Sequence, residues 1–120
     1  MTLESIARYN LKNVHQCELN ENVGFNMDKA ARFIEFQNPQ IIYLEGIKSK
    51  ESFDYFSSLV YNDKTIIMEF LANNMEDLRS KMAFSDFDTL KSIISCMIFI
   101  HSKTSVEVFN RETLQKYLGD

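Results

Sequence analysis

Glycine and proline are scarce in this sequence, three and one in 120 residues. A chain so poor in turn formers is ill suited to an all-β fold, which needs many tight reversals, and favours helices joined by short connections. The three glycines, Gly24, Gly46 and Gly119, stand far apart. A phosphate-binding loop needs clustered glycines so that backbone amides can approach an anion, so nucleotide binding has no support. Cysteine is equally sparse: Cys17 and Cys96 form no Cys-x-x-Cys pair and cannot define a disulfide scaffold. Reduced thiols in a cytoplasm are the simpler reading. The longest nearly unbroken apolar run, residues 93–100 with Ser95 inside it, falls far short of the roughly 20 residues that cross a bilayer. The opening Met-Thr-Leu-Glu-Ser-Ile-Ala-Arg lacks the basic and then apolar pattern of an export signal. The expectation is a soluble cytoplasmic protein with no membrane partner.

Basic charge is in deficit as well, with 13 Lys and Arg against 17 Asp and Glu and a formal net charge of −4. Phosphate binding draws its affinity from clustered Lys and Arg, so a nucleic-acid partner is disfavoured. The imbalance concentrates in residues 63–89, where Asp63, Glu69, Glu76, Asp77, Asp86 and Asp88 face only Lys64, Arg79 and Lys81. An acidic middle of this kind steers a basic partner through its long-range field, although a solvated helix surface explains the same composition.

What is present fits one globular domain over 1–120, with 45% hydrophobic and 25% charged residues and an aromatic supply of ten Phe and five Tyr without Trp. Residues 85–101 open like a capped helix, Ser85 with Asp88 three positions on, and then become apolar almost all round. A helix without a polar face must be surrounded by protein, so a buried helix at about 86–101 is taken as the centre of the domain. Leu3, Ala7, Leu11 and Val14 keep a helical spacing over 3–16. Asn26 caps a helix with Asp28 in its first turn and Pro39 beyond its end, and Ser49 precedes another bearing Phe53 and Phe56. Residues 64–82 show the most regular helical stripe, and with so short a connection to 85–101 the two should pack antiparallel. Residues 40–48 and 104–109 are ambiguous between strand and helix, and could pair. The expected fold is therefore mainly α: a single compact domain of five to seven helices with at most one small strand pair.

Catalytic constellations are hard to find. His15 and His101 are the only histidines, and His-x-Cys plus Cys-x4-His is a poor zinc set because Cys96 in an apolar helix belongs to a core. His101 is better explained at the end of its helix, against the dipole. Asp86 and Asp88 suit a first helical turn for the same reason. No catalytic residue, metal or cofactor is assigned. A protein interface is the more promising site, because tyrosine is enriched at interfaces. The candidate partner-binding residues are Glu51, Asp54, Tyr55, Tyr61, Glu69, Glu76 and Asp77, an acidic and aromatic surface suited to a basic protein.

In size, acidity and texture the whole chain resembles bacterial immunity proteins, particularly those that neutralise toxins of contact-dependent growth inhibition systems. The likeness is one of profile and carries no residue roles. It implies a cytoplasmic inhibitor, a monomer that forms a heterodimer with one cognate basic toxin domain, for instance a nuclease, by covering its active site without a cofactor. The alternatives are a helical domain that binds or transforms a small ligand in a cavity lined by Phe33, Phe56, Phe70, Phe87 and Phe99, and a regulatory adaptor or secretion chaperone.

Overall fold

The computed structural model describes residues 1–47, 49–81 and 92–118, and shows an α/β protein rather than a mainly helical one. The chain divides into two compact units, Met1–Lys81 and Met82–Asp120. The first is built on four parallel strands, β1 (Thr2–Glu4), β2 (Gln16–Glu18), β3 (Ile41–Glu45) and β4 (Thr65–Glu69), in the order β2-β1-β3-β4. Helix α1 (Met27–Gln37) connects β2 to β3, and α2 (Lys50–Ser58) connects β3 to β4 through a 3-10 turn at Leu59–Asn62. Both crossovers travel in the same direction across the sheet. Right-handed connections then place both helices on the same face.

Strand alternation sorts the side chains accordingly. Leu3, Ile42 and Leu44 point to the helical side and are fully buried with Ala30 and Ile34 of α1 and Phe53 and Phe56 of α2. The helices are joined to each other by hydrogen bonds from Tyr55 Oη to the Ala31 carbonyl (3.2 Å) and from Ser52 Oγ to Asp28 (2.8 Å). Their starts are set locally: Asn26 accepts from the Lys29 amide at 3.0 Å, and Ser49 accepts from the Ser52 amide at 3.1 Å. Asn38, with φ 45°, closes α1 in the left-handed region, and Pro39 follows. After Asp77 and Met75 begin a third helix, α3 (Met75–Lys81), the described part of this unit ends.

The second unit contains an antiparallel hairpin, β5 (Cys96–Ser102) and β6 (Ser105–Asn110), followed by α4 (Arg111–Leu118). Ile98 pairs with Val108 and Ile100 with Val106 on an exposed hairpin face. On the other face Phe109 is buried, and so is Leu114 of α4.

Several expectations are overturned. The mainly helical reading fails because apolar stretches expected in helices are strands. Residues 96–101 lie in β5 rather than in a buried helix, and 86–91 lie outside the described residues, as do Ser85 and its capping box. An apolar run rich in Ile and Phe suits a pleated surface as well as a helix, and periodicity alone does not separate the two. Residues 64–82 are not one helix: Thr65–Glu69 is β4, and Asn74, which accepts from the Asp77 amide at 2.8 Å, starts α3 afresh. The expected antiparallel packing of 64–82 on 85–101 goes with them. Residues 3–16 are not a helix: Leu3 and Glu4 belong to β1, 5–15 connect the strands, and Gln16 opens β2. The two ambiguous segments are both strands but do not pair: β3 joins β1 and β4, while β6 joins β5. Cys96, expected in a core, is exposed.

Candidate functional site: a carboxylate row on the open sheet face

The parallel register brings Glu4 beside Glu18 and Glu45 beside Glu69, and sets Leu3 against Leu44, which puts Glu4 next to Glu45. Four carboxylates therefore stand side by side, in the order Glu18, Glu4, Glu45, Glu69, at the carboxyl ends of the four strands. All four project from the face opposite α1 and α2. One step back along the strands, Gln16, Thr2, Tyr43 and Ile67 form a second row, and Ile41 and Thr65 begin a third on β3 and β4. Ile41 is 57% and Ile67 50% exposed. Parallel sheets normally have helices on both faces. Among the described residues of this unit, the second face is roofed on the β2 and β1 side, by the connection 5–15, which Gln16 holds through its amide group to the Tyr9 carbonyl and from the Leu11 amide, both 2.8 Å.

Every carboxylate of the row has a donor, and all those donors are neutral. Glu4 accepts from Thr2 Oγ1 at 2.7 Å and Gln16 Nε2 at 3.1 Å. Glu18 accepts from the Ala7 amide at 3.1 Å. Glu45 takes both the Ser5 amide (3.2 Å) and Ser5 Oγ (2.9 Å). Glu69 accepts from the Tyr43 hydroxyl. That bond, together with partial burial and the charges of Glu69, Glu45 and Glu4, pushes the Tyr43 phenol up to about 12. The ion pairs Lys50–Asp54, Lys81–Asp77 and His101–Glu107 all lie elsewhere. Among the described residues the row is thus fixed in position without a cationic partner. Like charges side by side in a sheet cost a few tenths to about 1 kcal/mol per pair, so the arrangement gives nothing to the fold itself.

An open cleft of about 560 Å3 lies along this face, lined by Thr2, Glu4, Leu11, Val14, Ile41 and Tyr43 among others. A second, of about 430 Å3, lies between α1 and α2 and is lined by Asp28, Arg32, Glu35, Glu51 and Tyr55 among others. Among the described residues no group of three or more His, Cys, Asp and Glu side chains is placed to hold a metal ion. Cys17 lies on the helical side of β2, where burial pushes its thiol up and leaves it a weak nucleophile at neutral pH. Among the phenylalanines suggested for a ligand cavity, Phe56 is buried and Phe33 is 51% exposed, while Phe99 belongs to the second unit and Phe87 lies outside the described residues.

The structure distributes the candidate partner-binding residues over several elements. Glu69 joins the carboxylate row. Glu51, Asp54 and Tyr55 lie on α2, in the layer on the other side of the sheet, and Tyr61 follows on the 3-10 turn, 69% exposed. Asp54 pairs with Lys50, and burial followed by the charge of Glu35 raises the Tyr55 phenol. Glu76 and Asp77 occupy the first turn of α3, where the Asn73 amide and then Lys81 hold the Asp77 carboxyl below its usual range. Sequence reasoning missed Glu4, Glu18 and Glu45. The signal was the repeated strand ending, Thr-Leu-Glu, Gln-Cys-Glu, Tyr-Leu-Glu and Ile-Met-Glu, with an apolar residue before each glutamate. The sequence matches no protein-family model, and it matches no curated protein.

Proposed function

We propose that this chain is a protein-binding domain that docks a basic protein on the open face of its parallel sheet, and that it serves as a cytoplasmic immunity protein neutralising a toxin. The observation that carries the reading is the row of four glutamates on a sheet face that no helix covers among the described residues of its unit. Neutral donors hold the carboxylates in place, so a cationic partner meets a charged surface that needs no reordering, and complementary charge speeds encounter and sets register. Exposed Ile41 and Ile67 supply apolar area beside the charge. Among the described residues no helix is long and apolar enough to cross a membrane. The complex is a heterodimer, with inhibition by occlusion of the partner's substrate site, which calls for no catalytic residue or cofactor in this chain.

The test is a comparative capture. The tagged protein and its Glu4→Gln, Glu18→Gln, Glu45→Gln, Glu69→Gln variant are expressed from the native locus, and co-purifying proteins are identified by mass spectrometry. Glutamine keeps a side-chain oxygen as acceptor for the existing donors while removing the charge. A basic protein retained in stoichiometric amount by the parent and lost by the variant, whose toxicity the parent relieves, is the expected result. A partner retained equally by both rules out this face.

A further inference from the structure

We infer that a second copy of this chain covers the exposed face of the β5–β6 hairpin, so that two hairpins stack face to face about a two-fold axis. The inference goes beyond the reading of the carboxylate row and does not depend on it, since the row belongs to the other unit.

The hairpin is apolar on both faces. Strand alternation puts Met97, Phe99 and Phe109 on one side, where Phe109 is buried, and Ile98, Ile100, Val106 and Val108 on the other, where they are 60%, 69%, 54% and 66% exposed. An antiparallel pair with one wet face ordinarily alternates apolar with polar residues, whereas a near-continuous apolar run belongs to a strand covered on both sides. The run Cys-Met-Ile-Phe-Ile at 96–100 is of the second kind. The ion pair of the hairpin, His101 with Glu107 at 3.1 Å, does not lie on the open face: Glu107 stands opposite Phe99, and the His101 ring is 4.6 Å from that of Phe99.

Charge identifies the cover. Cys96 and Asn110, paired in register, complete the open face, so among the described residues it carries no charged side chain. A basic partner gains nothing there, and proteins that protect a strand surface from self-association place lysine or another charge on it. The whole chain carries −4, so two copies repel across an acidic surface and meet at least cost on a neutral one. Shape agrees. Two sheets stack about 10 Å apart with their strands nearly aligned, and a two-fold axis along the strands sets β5 of each copy over β6 of the other, isoleucine against the smaller valine. The unit Met82–Asp120 also stands at the limit of about 40 residues below which a domain usually requires a disulfide, a metal or association with another chain, and its one cysteine excludes an internal disulfide. Four exposed aliphatic side chains offer roughly a few hundred Å2 per copy, short of the about 800 Å2 per partner of a standard interface. The pair is therefore weak, with a dissociation constant on the order of 100 µM, and the chain at low concentration stays single.

Sedimentation velocity of the intact chain from about 5 µM to about 1 mM tests the inference. The expected result is a mass that rises from one chain to two and no further, with tighter pairing in added sulfate, which strengthens apolar burial and screens the net charge. Isotope-filtered contacts between labelled and unlabelled copies should join the isoleucines of β5 to the valines of β6. An Ile100→Lys, Val106→Lys variant, confirmed as folded from its amide spectrum, should remain a single chain throughout. The milder Ile98→Thr, Val108→Thr variant keeps β-branched side chains and should weaken pairing about tenfold. A parent that stays single at the highest concentration overturns the inference, whether or not the face retains some other protein in a capture from cells. Pairing that ignores both the lysines and the threonines overturns it too, by placing the contact elsewhere. A mass growing past two chains overturns the closed pair in favour of open-ended association along strand edges.

Discussion

Tyr43 registers three of the row's four carboxylates in one titration. Its hydroxyl donates to Glu69, and ionisation would both break that bond and place a second negative charge beside Glu69, Glu45 and Glu4. The phenol is accordingly pushed from 10.0 to about 12. The folded state holds this proton more tightly than the unfolded chain does, so the stability it contributes is complete below about pH 10 and lost as pH rises through about 12. A difference titration of tyrosinate absorbance, parent minus Tyr43→Phe, should show a step near 12 in the folded protein. Glu69→Gln should lower that step toward the ordinary value, because it removes the bond's charge and the nearest repulsion. A Tyr43 step at the ordinary tyrosine value in the folded protein would show that the bond to Glu69 is not made. At this scale the sequence pointed to Glu69 through its acidic neighbourhood and to Tyr43 only through the interface preference of tyrosine, and it did not show the bond between them, which depends on pairing across strands 26 positions apart.

At the scale of elements, what could be read was what is local. Asn26 and Ser49 were recognisable as caps because the bond each makes closes within three residues, and the structure shows both bonds. Asn26→Ala should therefore cost about 1 kcal/mol, seen as a lower urea midpoint with unchanged slope. A loss well below that would mean the Lys29 amide finds another acceptor. Strands were misread because their pairing is not local. Ile42 and Leu44 are buried only by virtue of α1 and α2 packing over them, and nothing in the stretch Ile41–Glu45 distinguishes a strand from one buried helical turn. Ile67, Phe70, Leu71 and Leu78 gave residues 64–82 an apparently continuous helical stripe because apolar positions of a strand, of the segment after it and of the following helix fell in phase by coincidence. The scarcity of glycine and proline, read as a sign of helices, is satisfied equally by parallel strands joined through helices, which need few tight turns. Gly46, with φ 72°, is one of the few positions in the first unit where the backbone does require glycine, directly after Glu45 as the chain leaves the sheet for α2.

At the scale of the molecule, net charge and charge placement make different predictions, and the carboxylate row separates them. The chain carries −4, and neutralising any four carboxylates brings it to 0. One variant changes Glu4, Glu18, Glu45 and Glu69 to Gln. A second changes Glu51 and Glu76 to Gln and Asp54 and Asp77 to Asn, which are spread over α2 and α3. If a basic partner responded only to the total charge, both would slow its association equally. At physiological ionic strength the Debye length is about 8 Å, so charges away from the contact are largely screened while those within it are not. The row variant should therefore lose about tenfold in association rate with the partner, and its salt dependence should flatten. The scattered variant should lose no more than about twofold to threefold. Stopped-flow rates across a salt series decide the matter. Equal losses would assign the effect to net charge and remove the sheet face from the contact, and a larger loss in the scattered variant would return the interface to the helices, where the acidic surface was first sought in the sequence.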